Sequence, residues 1–211
     1  MTHVRAERAA LSDLLDRLGP DAPTLCAGWT TADLAAHLVL RERRPDAAAG
    51  IALPFLAGHT RSVQEGLKRR HSYPALVSLV REGPPAWSPY GLVPGLDAAV
   101  NTLELFVHHE DVRRAQPGWE PRRLPAEQED LFWDRVRRGA RLFLRRSPVG
   151  VVLRRPDGTR APGRRAEPAV VVTGEPSELL LFAFGRQAHA RVGYDGEPDA
   201  VARLREAPFG M

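Results

Sequence analysis

Asn101-Thr-Leu-Glu-Leu-Phe-Val-His-His-Glu-Asp111 places a carboxylate, Glu104, four residues before an imidazole, His108. On an α-helix that spacing stacks one side chain above the other, so the pair offers two ligands to one metal ion. At about 100° per residue, Asn101 points the same way. Val100 and Val107 flank this polar stripe on one side, and Leu105 and Val112 on the other. Ligand chemistry set inside an apolar stripe faces a core, which predicts a helix packed among helices around a buried metal site.

The remainder of the chain supplies the other helices. Val4, Leu11, Leu14, Leu15 and Leu18 recur at helical spacing across 2–18, and Gly19-Pro20 stops the pattern. Thr30-Thr-Ala-Asp33 reads as a capping box opening a second helix that runs to about Arg44 before Pro45. Two prolines and two glycines make 45–58 a loose connection. Residues 59–82 are helical in pattern, with a start or kink at Pro74, and Gly83-Pro-Pro85 ends them. The stretch to Gly95 reads as loop. Helices are expected over 96–116 and 125–146, the latter acidic at its start and rich in arginine at its end, in keeping with the helix dipole.

After Ser147-Pro148 the character changes. The β-branched runs 149–153 and 169–173 predict strands, 176–186 a helix, 191–194 a short strand and 197–205 a last helix. The expected fold is mainly α, an up-and-down four-helix bundle over 1–146 that holds the metal, followed by a small α+β module over 147–211.

Composition narrows the function. With one cysteine, Cys26, there is no internal disulfide framework and no multi-cysteine metal site, so imidazole and carboxylate must hold any ion. Cys26 itself reads as a small buried hydrophobe. The net charge is +4, and arginines alternate with acids all along the chain, so Arg41-Glu-Arg-Arg44 and Arg135-Val-Arg-Arg138 read as solvated helix faces and not as a nucleic-acid module. No stretch is long and apolar enough to span a bilayer, and no apolar signal region opens the chain, so the expected location is cytoplasmic.

Two ligands on one helix hold a divalent ion poorly, and catalytic zinc sites take three protein ligands with an open position. His37 is the best-placed third histidine, lying between Leu34 and Leu38 in Gly28-Trp-Thr-Thr-Ala-Asp-Leu-Ala-Ala-His37. That string, followed some seventy residues later by Glu104-x-x-x-His108-x-x-Asp111, resembles the DinB-like metal-binding superfamily. Within it, the chain is most similar to the actinobacterial branch that includes mycothiol-dependent maleylpyruvate isomerases. The resemblance implies a DinB-like four-helix bundle carrying a metal, usually zinc, on His37, Glu104 and His108. It also implies that the C-terminal module is sterol-carrier-like. His109 lies about 100° around the helix from His108 and is expected on an outer or edge face. Asp111 could accept the His108 ring N–H, and Asn101 could hydrogen-bond Glu104. Trp29 reads as a packing residue before the cap.

A divalent metal on such a site would bind water or a thiol, and a coordinated thiol is deprotonated outright. The leading expectation is a transferase or isomerase in which a low-molecular-weight thiol, by family analogy mycothiol, attacks an electrophilic substrate as a metal-bound thiolate. Arg41 and Arg186 could hold carboxylates of thiol or substrate. A metal hydrolase using bound water and a non-catalytic metal- or small-ligand-binding protein stay open as alternatives. Expected partners are small molecules, with no nucleic acid and no membrane, and the chain is expected to act as a monomer or homodimer.

Overall fold

The computed structural model describes residues 3–93 and 95–208. In its first unit, residues 1–119, helix α1 (His3–Leu18) leads through the 19–30 loop to α2 (Thr31–Arg43). The predicted first residue of α1, Thr2, lies outside the described residues. Thr30 caps α2: its backbone N–H donates to Asp33 Oδ2 at 3.0 Å, and Lys68 Nζ lies 2.5 Å from the other Asp33 oxygen. There follow α3 (Pro45–Ala52), a 3₁₀ turn (Pro54–Leu56), α4 (Ala57–Arg70), α5 (Tyr73–Glu82), the single-turn α6 (Pro89–Leu92) and α7 (Leu96–Arg113).

Two of these differ from the sequence reading. The segment expected to be loose is α3, because Pro45 both stops α2 and occupies the first turn of the next helix, where its missing N–H costs nothing. Gly50 is there for close approach and not for a turn: a Cβ on it would overlap Thr60 Oγ1 and the Leu56 carbonyl. The loop before Gly95 likewise contains α6, whose cap, Ser88, accepts from Gly91 N. The 59–82 segment is two helices parted at His71-Ser72, with Pro74 in the first turn of the second. Gly83, at φ +81°, ends α5.

The core of this unit draws Leu11 and Leu15 from α1, Leu34, Ala35 and Leu38 from α2, Leu76, Val77 and Val80 from α5, and Leu105 and Val112 from α7. It is the predicted helical bundle, and it sets α2 and α7 with their polar stripes inward.

The second unit, residues 120–211, holds α8 (Ala126–Phe143), β1 (Gly150–Arg154), β2 (Arg160–Pro162), β3 (Ala169–Thr173), α9 (Pro176–Ala183), β4 (Gly193–Asp195) and α10 (Pro198–Glu206). The sheet order is β2-β1-β3-β4, with β1 and β3 parallel and both outer pairs antiparallel. Val151, Leu153, Val170 and Val172 are buried in alternation with Val152 and Val171, as one covered face requires. β2 went unread in the sequence because it is three residues long and ends in Pro162, a residue a sheet tolerates at its edge. Helix α8 packs on α9 and β2. Contacts therefore thin out between Trp119 and Glu120, whereas composition turns strand-like only at 147.

Candidate metal centre

His37 lies two turns into α2, whose first turn is fixed by the Thr30-Asp33 cap, while Glu104 and His108 occupy successive turns of α7. Their donor atoms converge. His37 Nε2 is 3.6 Å and His108 Nε2 3.0 Å from Glu104 Oε1, and the donor atoms of all three residues lie within 4.8 Å of one another. Donors around a tetrahedral zinc ion at about 2.1 Å sit about 3.4 Å apart, so this spacing fits such an ion. His37 and His108 are buried, and Glu104 keeps a 20% exposed side chain that gives the cluster a face to solvent.

The environment holds two of the three in the form a metal ligand needs. Burial drives the His37 pKa down to about 4 against the opposing pull of Glu104, so its imidazole is neutral at pH 7. Burial pushes Glu104 up, but hydrogen bonds with His108 and His37 and the charges of His108 and Arg41 outweigh it and hold the carboxyl well below its usual range. His108 behaves oppositely. Burial disfavours its charge, yet Asp111, Cys26 and Glu104 around it raise its pKa well above the ordinary value.

The flanking residues divide clearly. Asp111, fully buried, places Oδ2 3.0 Å from His108 Nδ1, which leaves Nε2 turned toward Glu104. Arg41 Nε lies 3.4 Å from Glu104 Oε1, and its Nη1 donates to Asn101 Oδ1 at 3.2 Å. Asn101 does not serve Glu104 directly, since its amide donates to Glu42 and Asp97 at 2.9 and 2.7 Å and has no hydrogen left to give. It reaches Glu104 through Arg41. Glu42 in turn is gripped by Arg8 at 2.6 and 3.0 Å, and Arg8 also donates to the Val80 carbonyl, so a chain of buried polar groups joins α1 to the cluster. Arg186 belongs to the second unit, where its Nη1 donates to the Phe184 carbonyl at 2.6 Å.

His109 is not on an outer face. It is 5% exposed, with Nδ1 2.8 Å from Glu7 Oε1, because α1 covers that side of α7. Cys26, expected as a small buried hydrophobe, is only half-buried and makes polar contacts. Its Sγ lies 3.2 Å from Asp111 Oδ2 and 4.0 Å from His108 Nδ1, and Cys26, His108 and Asp111 form a second close donor group. The loop that carries it is tied to α7 by Leu25 N donating to the Asp111 carbonyl at 3.0 Å, a contact that no local pattern announces. Trp29, from the same loop, sets its ring 4.9 Å from that of His37.

Comparison with known proteins places the fold. Residues 4–113 match the family model described as the mycothiol maleylpyruvate isomerase N-terminal domain. The fold matches a crystal structure of the mycothiol-dependent maleylpyruvate isomerase over 92% of this chain and 91% of that one, at 19% identity and a TM-score of 0.54. A histidine-to-alanine mutant of that enzyme matches over the same shares at 20% identity and a TM-score of 0.55. No curated protein matches.

Proposed function

Since the chain belongs to the mycothiol maleylpyruvate isomerase N-terminal domain family, we propose that it is a cytoplasmic metal-dependent enzyme that joins a low-molecular-weight thiol, mycothiol, to an electrophilic small molecule, as a transferase or isomerase. One observation carries this reading: in a chain of this family, two imidazoles and one carboxylate converge at 3.0–3.6 Å on a partly open face. His37, Glu104 and His108 would hold the ion, most suitably zinc given this nitrogen and oxygen donor set. When bound, it would supply the positive charge that lets a thiol react as thiolate at neutral pH.

The protein's own groups do the rest. Asp111 holds the His108 ring by its Nδ1 edge and so keeps Nε2 directed into the site. Arg41, fixed by Asn101, keeps Glu104 ionised and in place. Cys26, the chain's only thiol, donates a hydrogen bond to Asp111 Oδ2, and the nucleophilic sulfur is assigned to the cosubstrate.

The test is conjugation of mycothiol to monochlorobimane and a broad panel of other electrophiles, with zinc-loaded and chelator-treated protein. Metal-dependent product that disappears in Glu104→Ala and His108→Ala is expected. Absence of metal-dependent conjugation across the panel would sink the proposal.

A further inference from the structure

We propose that the arginine-rich face of the second unit, formed by the end of α8 and the β2 edge, docks on an anionic phospholipid surface without crossing it. Residues 135–165 contain eleven arginines and one acid, Asp157, whereas the rest of the chain has more acids than bases. The fold gathers this charge. β2 packs along α8, and Arg164 Nη1 donates to the Arg145 carbonyl at 2.6 Å. Arg137 and Arg138 share Asp134 at 2.6 and 3.1 Å. Arg141, Arg145, Arg146, Arg160, Arg164 and Arg165 are exposed, and among the described residues no ion pair joins them to an acid.

The helix dipole explains only part of this. Cations in the last turn of α8 offset its C-terminal charge, but Arg160 and Arg165 come from β2 and the segment after it. One-signed charge on a small face repels itself, and an anionic surface relieves that repulsion. Guanidinium forks suit phosphate oxygens, which lipid headgroups and nucleic acids share.

Leu142 separates the two. It is 54% exposed in the last turn of α8, one helical turn after Arg138, with Arg145 and Arg146 in the turn that follows the helix, so an apolar side chain stands close to these cations along the chain. A leucine ringed by arginines matches the boundary between headgroups and acyl chains. A single-stranded nucleic acid would favour an exposed aromatic for stacking, and Phe143, the only aromatic residue in 135–165, packs on Phe184 with ring centroids 4.9 Å apart; a duplex would contact the arginines alone and make no use of Leu142.

The experiment is cosedimentation of the full chain with vesicles of equal phosphatidylglycerol and phosphatidylcholine, with pure phosphatidylcholine vesicles, and competition by a short duplex DNA. Binding to the anionic vesicles that weakens with salt and is absent on neutral ones is expected. Each arginine neutralised, as in Arg145→Gln or Arg146→Gln, should weaken it about fivefold. Leu142→Ser should weaken vesicle binding several-fold and leave any DNA binding unchanged. Far-ultraviolet circular dichroism confirms that each variant is folded, and the salt titration of the unmodified chain stands without them. Equal affinity for neutral vesicles, no binding at low salt, or tighter binding to DNA that is indifferent to Leu142 would each overturn the proposal.

Discussion

His37, Glu104 and His108, proposed to hold the ion, sit in environments that shift their pKa values in different directions, and a proton stoichiometry for metal binding follows from this. Burial keeps His37 neutral at pH 7 and Glu104 is held well below its usual carboxyl range, whereas Asp111, Cys26 and Glu104 raise the His108 pKa, so of the three it is the His108 proton that a bound ion would displace. Calorimetric zinc titrations at pH 7 in buffers of differing ionisation enthalpy should show about one proton released per ion, and affinity should rise with pH. Zero protons released would mean that His108 does not change state on binding. In metal-free protein the sign reverses. A raised folded pKa adds stability that is complete below the ordinary value of 6.5 and is lost as pH rises through the folded value. Metal analysis should find ion lost in His37→Ala, Glu104→Ala and His108→Ala. His109→Ala should keep it while losing about 1–3 kcal/mol of stability, because the buried contact between the His109 ring and Glu7 is lost. At this scale the closeness of Glu104 and His108 was legible from helix spacing, and that of His37 to them from the family motif. Cys26, Arg41's hold on Glu104 and the burial of His109 were not, because each depends on which neighbour covers which side of α7.

Among elements, the helices with clean apolar periodicity and strong ends, α1, α2 and α7, could be read from the sequence to within a few residues. α3 could not, because Pro and Gly signal a break and a close approach with the same letters. Gly50→Val should therefore destabilise the first unit by about 1–3 kcal/mol in chemical denaturation, by forcing α3 away from Thr60 and Leu56. The Arg8–Glu42 pair links α1 to α2 with 6% and 1% exposed side chains. Arg8→Met would strand a buried carboxylate and should cost about 3–5 kcal/mol, a loss that Glu42→Gln in the same chain would reduce.

For the whole molecule, the two units give metal an uneven effect. Zinc at a hundred times its dissociation constant should stabilise the first unit by about 2.7 kcal/mol and leave the second unchanged. Scanning calorimetry with and without chelator should then move one transition and not the other. The composition change at 147 was legible, but the thinning of contacts at 119 was not, because α8 pairs with α9 across fifty residues of sequence. Among the described residues no helix is long and apolar enough to cross a membrane. The loop that sets Cys26 against Asp111 also makes the chain's single thiol a reporter of the centre beside it. A fluorine-bearing label on that sulfur would sit beside the His108 ring, so its resonance would register changes in the histidine's charge and allow metal occupancy to be followed with His37, Glu104 and His108 all unsubstituted.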